Sequence, residues 1–184
     1  STLRTRETGV DLTMEERFWP AWGAIRNGDR DAFNGLLDDD PSLARDRSSV
    51  GHPTLMQALV LDGTELDAQT QLSMARLLIT KGSAVNEPFV ATGSVGNTVL
   101  AELLVAEGAP LDGDPAILGG WSALEEALYW QQSDTAMRLI ELGARIKNLR
   151  IAAGIGNLAA VQSFFDGDRL DSSAGDTNFP FCVR

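Results

Sequence analysis

The chain has 184 residues, is 43% hydrophobic and 22% charged, and carries a formal net charge of −11 with an isoelectric point near 4.4. That length is enough to bury a core as one unit or a short array, and no run approaches the ~18 apolar residues of a membrane span. The acidity argues against nucleic acid and anionic membranes, whose phosphates would be repelled, and admits a basic or apolar partner, although it is also a common solubility device.

In chain order, residues 1–13 are polar and expected to be extended or disordered, and the N-terminal stretch lacks the apolar run of a signal peptide. WPAWGAIRNGD (Trp19 to Asp29) predicts a first helix closed by Gly28. Asp29 or Arg30 then leads into a helix over 31–39, which Pro41 helps to end. Phe18, Trp19 and Trp22 are expected to cover the open end of the array rather than to line a pocket. GHPTLMQALVLDG (Gly51 to Gly63) begins a second pair, with extra residues Gly63 to Gln69 before a helix over 70–81 that Gly82 stops. EPFVATGSVGN (Glu87 to Asn97) runs into a helix over 97–107 stopped by Gly108. A turn-rich finger, Asp112 to Gly120, follows.

GWSALEEALYWQQSDTAMRLIELGARI (Gly120 to Ile146) is the most regular stretch. In 134–142, Ala136, Leu139 and Ile140 share a face while Arg138 and Glu141 point outward; Ser133 or Asp134 is the expected cap and Gly143 the stop. KNLRIAAGIGN (Lys147 to Asn157) starts the last pair. Ala24, Ala58, Ala127, Ala152 and Ala153 are expected where helices cross closely. Strand content is expected near zero. For the tail DGDRLDSSAGDTNFPFCVR three outcomes stay open: Phe179 to Val183 covers the last repeat, the array continues further, or this apolar end pairs with another chain.

The ending L-L-x-x-G-A-x-V recurs in LITKGSAVN (Leu78 to Asn86), LVAEGAPLD (Leu104 to Asp112) and LIELGARIK (Leu139 to Lys147). Gly120 to Ile146 also matches G-x-T-P-L-H-x-A-A-x-x-G-H-x-x-x-V-x-x-L-L-x-x-G-A-x-V without insertion, through Leu124, Ala127, Leu139, Ile140, Gly143 and Ala144. By these motifs the chain resembles the ankyrin-repeat family, in the manner of irregular bacterial members, over residues 19–166. The periods are uneven around the ~33 residues of the family. The expected organisation is an arm over 1–18, repeats at 19–46, 51–86, 87–112, 120–146 and 147–166, and a tail over 167–184. The resemblance implies an all-α solenoid of about five helix–turn–helix units, two with shortened fingers, presenting a binding surface and carrying no shared catalytic residue.

The family's histidine in T-P-L-H is replaced by Trp22, Met56, Val90, Glu125 and Arg150, so its polar tie is expected to give way to packing or charge, including a surface Glu125–Arg150 attraction worth under about 1 kcal/mol. The two x positions of A-A-x-x-G, which the resemblance places on the concave groove, are Arg26 and Asn27, Val60 and Leu61, Ser94 and Val95, Tyr129 and Trp130, and Gly154 and Ile155. A groove centred on Tyr129, Trp130, Val95 and Leu61, with Arg26 and Ile155 in the same ladder and acidic residues at the rim, is the expected protein-binding surface; burial of these side chains between repeats is the competing reading.

Catalytic and metal signals are sparse. The one histidine, His52, precedes Pro53 in an expected loop, and one cysteine, Cys182, excludes an internal disulfide framework and fits a reducing, cytoplasmic setting. No phosphate-loop, nucleophile-elbow or C-x-x-C motif occurs. Asp38, Asp39 and Asp40 read as solvated charge, and Asp112 and Asp114 as a turn without the calcium-loop pattern. No cofactor or metal is expected. The alternative to a protein-binding module is a small-molecule-binding or catalytic protein using Glu125 as an acid beside Trp121 and Trp130.

Overall fold

The computed structural model describes residues 4–5, 11–49 and 53–171, residues 4, 5, 11 and 12 by backbone alone. His52, Cys182 and the Phe179 to Val183 segment lie outside these residues. Arg4–Thr5 (β1) pairs antiparallel with Asp11–Leu12 (β2), and Phe165–Asp166 (β3) with Arg169–Leu170 (β4). Everything else that is regular among the described residues is helical.

Three of the helices start at reciprocal caps written in the sequence. Glu16 donates its N–H to Thr13 and accepts the Thr13 N–H in return, so α1 runs Met14–Asn27 and begins ahead of the expected Trp19. Thr54 with Gln57 starts α3 (Leu55–Asp62), and Ser122 with Glu125 starts α7 (Ala123–Tyr129). Asp29, Asp67, Asn97, Asn148 and Asn157 cap α2 (Arg30–Asp39), α4 (Ala68–Thr80), α6 (Thr98–Ala106), α9 (Leu149–Gly154) and α10 (Leu158–Ser163). Two helices lack a side-chain cap. α5 (Asn86–Val95) follows Val85, and α8 (Ser133–Glu141) follows Gln132. The expected cap at Ser133 or Asp134 is thus corrected: both are already inside the helix, where Asp134 lies in the first turn and favours the positive end of the helix dipole.

The ten α-helices among the described residues pair as α1–α2, α3–α4, α5–α6, α7–α8 and α9–α10, and the pairs pack side by side in two rows. One row runs α1–α3–α5–α7–α9, the other α2–α4–α6–α8. One continuous core fills the space between them, with Phe18, Phe33, Leu55, Leu78, Phe89 and Leu104 fully buried. Each such side chain contributes about 1.5–3 kcal/mol relative to exposure, so a hairpin without its neighbour would lose most of its stabilisation. α10, at the last position, has no buried residue.

Small residues set the spacing of the first row. Ala24, Ala58, Ala127 and Ala152 are buried as expected, whereas Ala153 is exposed because it lies on the opposite side of α9. The tightest approach is at Gly93 in α5, where a Cβ would overlap the Ala123 carbonyl and come within 2.9 Å of Ala127 N. Polar ties cross between pairs as well. Trp22 Nε1 donates to Asp62 at 2.7 Å. Buried Asn97 donates to the Val60 carbonyl at 3.2 Å and to Gln71 Oε1 at 2.8 Å. At the open end Phe18 is buried, Trp22 partly buried and Trp19 43% exposed, so only part of the expected aromatic cover is inside.

Candidate binding surface

The capping box that begins α7 also decides where its two glutamates go. Consecutive helical residues point about 100° apart, so one carboxylate turns inward and the next outward. Glu125, in the cap, is buried at 3% exposure. Its Oε2 accepts from Ser122 N at 3.0 Å and Ser122 Oγ at 2.9 Å and faces Lys147 Nζ at 2.9 Å. Its Oε1 accepts from Asn148 Nδ2 at 2.8 Å, with Arg150 Nη2 3.5 Å away. The expected Glu125–Arg150 pair therefore exists, but as part of a buried cluster rather than on the surface. A buried carboxylate is tolerated when it is both paired and hydrogen-bonded, and here both conditions hold.

Glu126 takes the place expected of Glu125 beside the tryptophans. Its Oε2 accepts from Trp121 Nε1 at 2.6 Å and its Oε1 from Trp130 Nε1 at 2.9 Å, so one outward carboxylate holds two indole rings. Tyr129 packs edge-on against Trp130, with ring centres 5.3 Å apart. Tyr129 is 50% and Trp130 55% exposed. These two rings are thus ordered on the surface and not folded into packing between helix pairs.

The remaining residues expected in the groove sit at matching C-terminal ends of the first-row helices. Leu61 and Val95 are partly buried against the core, Ile155 is partly buried after α9, and Arg26 is exposed, its guanidinium 5.0 Å from the Trp22 ring centre. Val60, expected to accompany Leu61 into the groove, is fully buried. The aromatic character is accordingly concentrated at α7, and Arg26 lies near a different tryptophan at the far end of the row.

Beside Tyr129 a pocket of about 210 Å³ opens between α7 and α9. Trp121, Leu128 and Tyr129 line it from the α7 side, Ile151 and Gly154 from α9, with Glu125 and Arg150 also contributing. The Arg150 guanidinium lies 5.3 Å from the Trp121 ring centre.

The finger ahead of α7 is tied at both ends. Lys147 Nζ donates to the Asp112 carbonyl at 2.9 Å and the Gly120 carbonyl at 3.0 Å. Burial pushes the Asp112 carboxyl up, but the Arg145 N–H and guanidinium outweigh this and hold it below its usual range. Asp114 accepts from Ala116 N and from Asn86. Both carboxylates of the D-x-D spacing are thus used in the turn, and among the described residues no group of three or more His, Cys, Asp or Glu side chains is placed to hold a metal. Leu118 stands at 69% exposure with φ of 49°, a left-handed conformation unusual for leucine.

No protein-family model matches the chain, and no curated protein matches it in sequence. No described helix is long and apolar enough to cross a membrane.

Sequence reasoning set Trp121 and Trp130 beside a glutamate but missed Glu126 as the one that holds them. The signal was present: Trp130 follows Glu126 by four residues, one helical turn, which brings side chains together.

Proposed function

We propose that the chain is a degenerate ankyrin-type solenoid that acts as a protein-binding or scaffolding module through a concave groove along the first-row helices. The observation that carries this reading is the exposed Tyr129–Trp130 pair, two large aromatic rings held in place on an otherwise well-buried helix. Trp and Tyr are the residue types that most often anchor protein interfaces. Two rows of stacked helical hairpins, the recurring L-L-x-x-G-A-x-V endings and the left-handed glycines after the second helices all favour an ankyrin-type array. A protein ligand, with no nucleic acid or membrane involved, fits the acidic composition. Self-association through the α10 end is a second use of the surface, favoured by the exposure of Leu158, Phe165 and Leu170. The single cysteine is the support for a cytoplasmic setting.

A small-molecule or enzymatic role for Glu125 has the pocket in its favour. Against it, both Glu125 oxygens already accept hydrogen bonds from neighbouring side chains, which suits a structural tie.

The test is a pull-down from the native host with wild type and Trp130→Ala. A polypeptide retained by wild type and lost by the variant, with unchanged thermal stability, supports the reading. Equal retention by both, or loss of fold in the variant, counts against it.

A further inference from the structure

Resting on the reading of this face as a polypeptide-binding surface, we propose that its occupant is a short basic-apolar peptide segment: one bulky aliphatic or aromatic side chain enters the α7–α9 pocket, and a neighbouring arginine or lysine docks on Glu126 beside Trp130. The pocket's 210 Å³ is below the ~300 Å³ at which small-molecule sites begin. That favours an inserted side chain over a cofactor. Trp121, Leu128, Tyr129 and Ile151 make the lining largely apolar. Gly154 leaves the pocket open from the α9 side: a Cβ there would come 3.0 Å from Leu128 Cδ1, so any side chain presses on that wall or overhangs the space.

The cation site is set by Glu126. An ionised carboxylate has about four acceptor positions, and the two indoles use one on each oxygen. What remains is a negative group flanked by aromatic rings, a combination that attracts guanidinium and ammonium groups. Of the cations already present, Lys147 and Arg150 lie 2.9 and 3.5 Å from buried Glu125, which offsets one of their two charges and faces away from Glu126. The chain's charge of −11 adds long-range attraction for a basic partner. Side chains two residues apart in an extended peptide share a face and stand ~6.6 Å apart, comparable with the 5.3 Å between the Tyr129 and Trp130 rings.

The experiment follows the four indole N–H signals of ¹⁵N-labelled full chain during titration with acetylated octapeptides in a Gly/Ser frame. One carries leucine and arginine two residues apart, one leucine and glutamate, one alanine and arginine, and one neither. The leucine–arginine peptide is expected to move the Trp121 and Trp130 signals and leave Trp19 and Trp22 in place. Either replacement should weaken binding by about tenfold. Gly154→Leu should lose the peptide while staying folded, with the Trp19 and Trp22 signals in place, and Glu126→Gln should lose the preference for arginine over glutamate without losing the requirement for leucine. Binding of all peptides alike, or undiminished binding by both variants, overturns the proposal while leaving a peptide-binding groove intact. If a host polypeptide depends on Trp130 but the leucine–arginine peptide moves neither indole, the proposal alone falls; if neither is seen, both readings fall.

Discussion

Asn148, just ahead of α9, donates a 2.8 Å hydrogen bond to Glu125 of α7, and both side chains are buried. Asn148 also caps α9 by accepting from Ile151 N at 2.9 Å. One amide therefore fixes the start of one helix and the charge on its neighbour. Asn148→Ala removes the cap and leaves a Glu125 oxygen short of a donor, at an expected cost of about 2–4 kcal/mol. Asn148→Asp keeps the cap but sets two carboxylates together and should cost at least as much. Urea denaturation of both variants checks this; a loss under half a kcal/mol in both would mean that the contact carries no stability.

Glu125 itself is expected to be more sensitive than its alternative role as an acid would require. Glu125→Leu leaves Lys147 beside an apolar group and should destabilise by about 3–5 kcal/mol. Glu125→Gln, which keeps the shape and one acceptor, should cost less, about 1–3 kcal/mol. Thermal melts of the two variants at one pH give the comparison.

Gly93→Ala tests the closest crossing in the stack. The added methyl meets the backbone of α7 rather than a flexible side chain, so α5 and α7 must separate. We expect a loss of about 1–3 kcal/mol, despite the gain of up to about 1 kcal/mol that alanine brings inside a helix. A stabilised variant would show that the crossing has slack.

Gln131 occupies the left-handed position, φ 59°, that Gly28, Gly96 and Gly156 occupy after α1, α5 and α9. A side chain there costs about 1 kcal/mol more than glycine, partly offset by the freer unfolded chain. Gln131→Gly should therefore raise stability by about 0.5–1 kcal/mol, read as a higher urea midpoint at unchanged slope.

The carboxylate ties set an acid limit. Arg47 holds Glu87 below the usual carboxylate range, with burial opposing, and the Arg145 contacts hold Asp112 below it despite burial. A carboxyl lowered on folding adds stability that is complete above its unfolded value, here the ordinary 4.5 and 3.8, and is lost as pH falls through the folded one. Asp112→Asn should cost about 1 kcal/mol at pH 7. The gap from wild type should close as the pH falls below the ordinary 3.8 and through the lowered folded value, as melting curves at several pH values would show.

Much of the helical organisation was legible because it depends on local chemistry. Gly82, Gly108 and Gly143 marked helix ends, and each has positive φ where the chain turns. The start of α1 was equally local, in Thr13 and Glu16, although the eye is drawn to Trp19 and Pro20. Which of the two adjacent glutamates turns back to the helix start was local too, in Ser122 and Glu125. What could not be read was that Asn148 and Lys147, more than twenty residues later, close over it, because only stacking brings them to α7. The same holds for Val60 and Ala153, whose spacing fits the repeat while their exposure depends on how the helix sits on its neighbours.

Lys147 gathers the Asp112 and Gly120 carbonyls and the Glu125 carboxylate onto one ammonium group. The residues between those carbonyls form a loop closed at its neck by a cation belonging to the next hairpin. Sequence changes at its tip, around Ala116 to Leu118, are thereby insulated from the stack, and foreign segments could be grafted there with the clasp left whole.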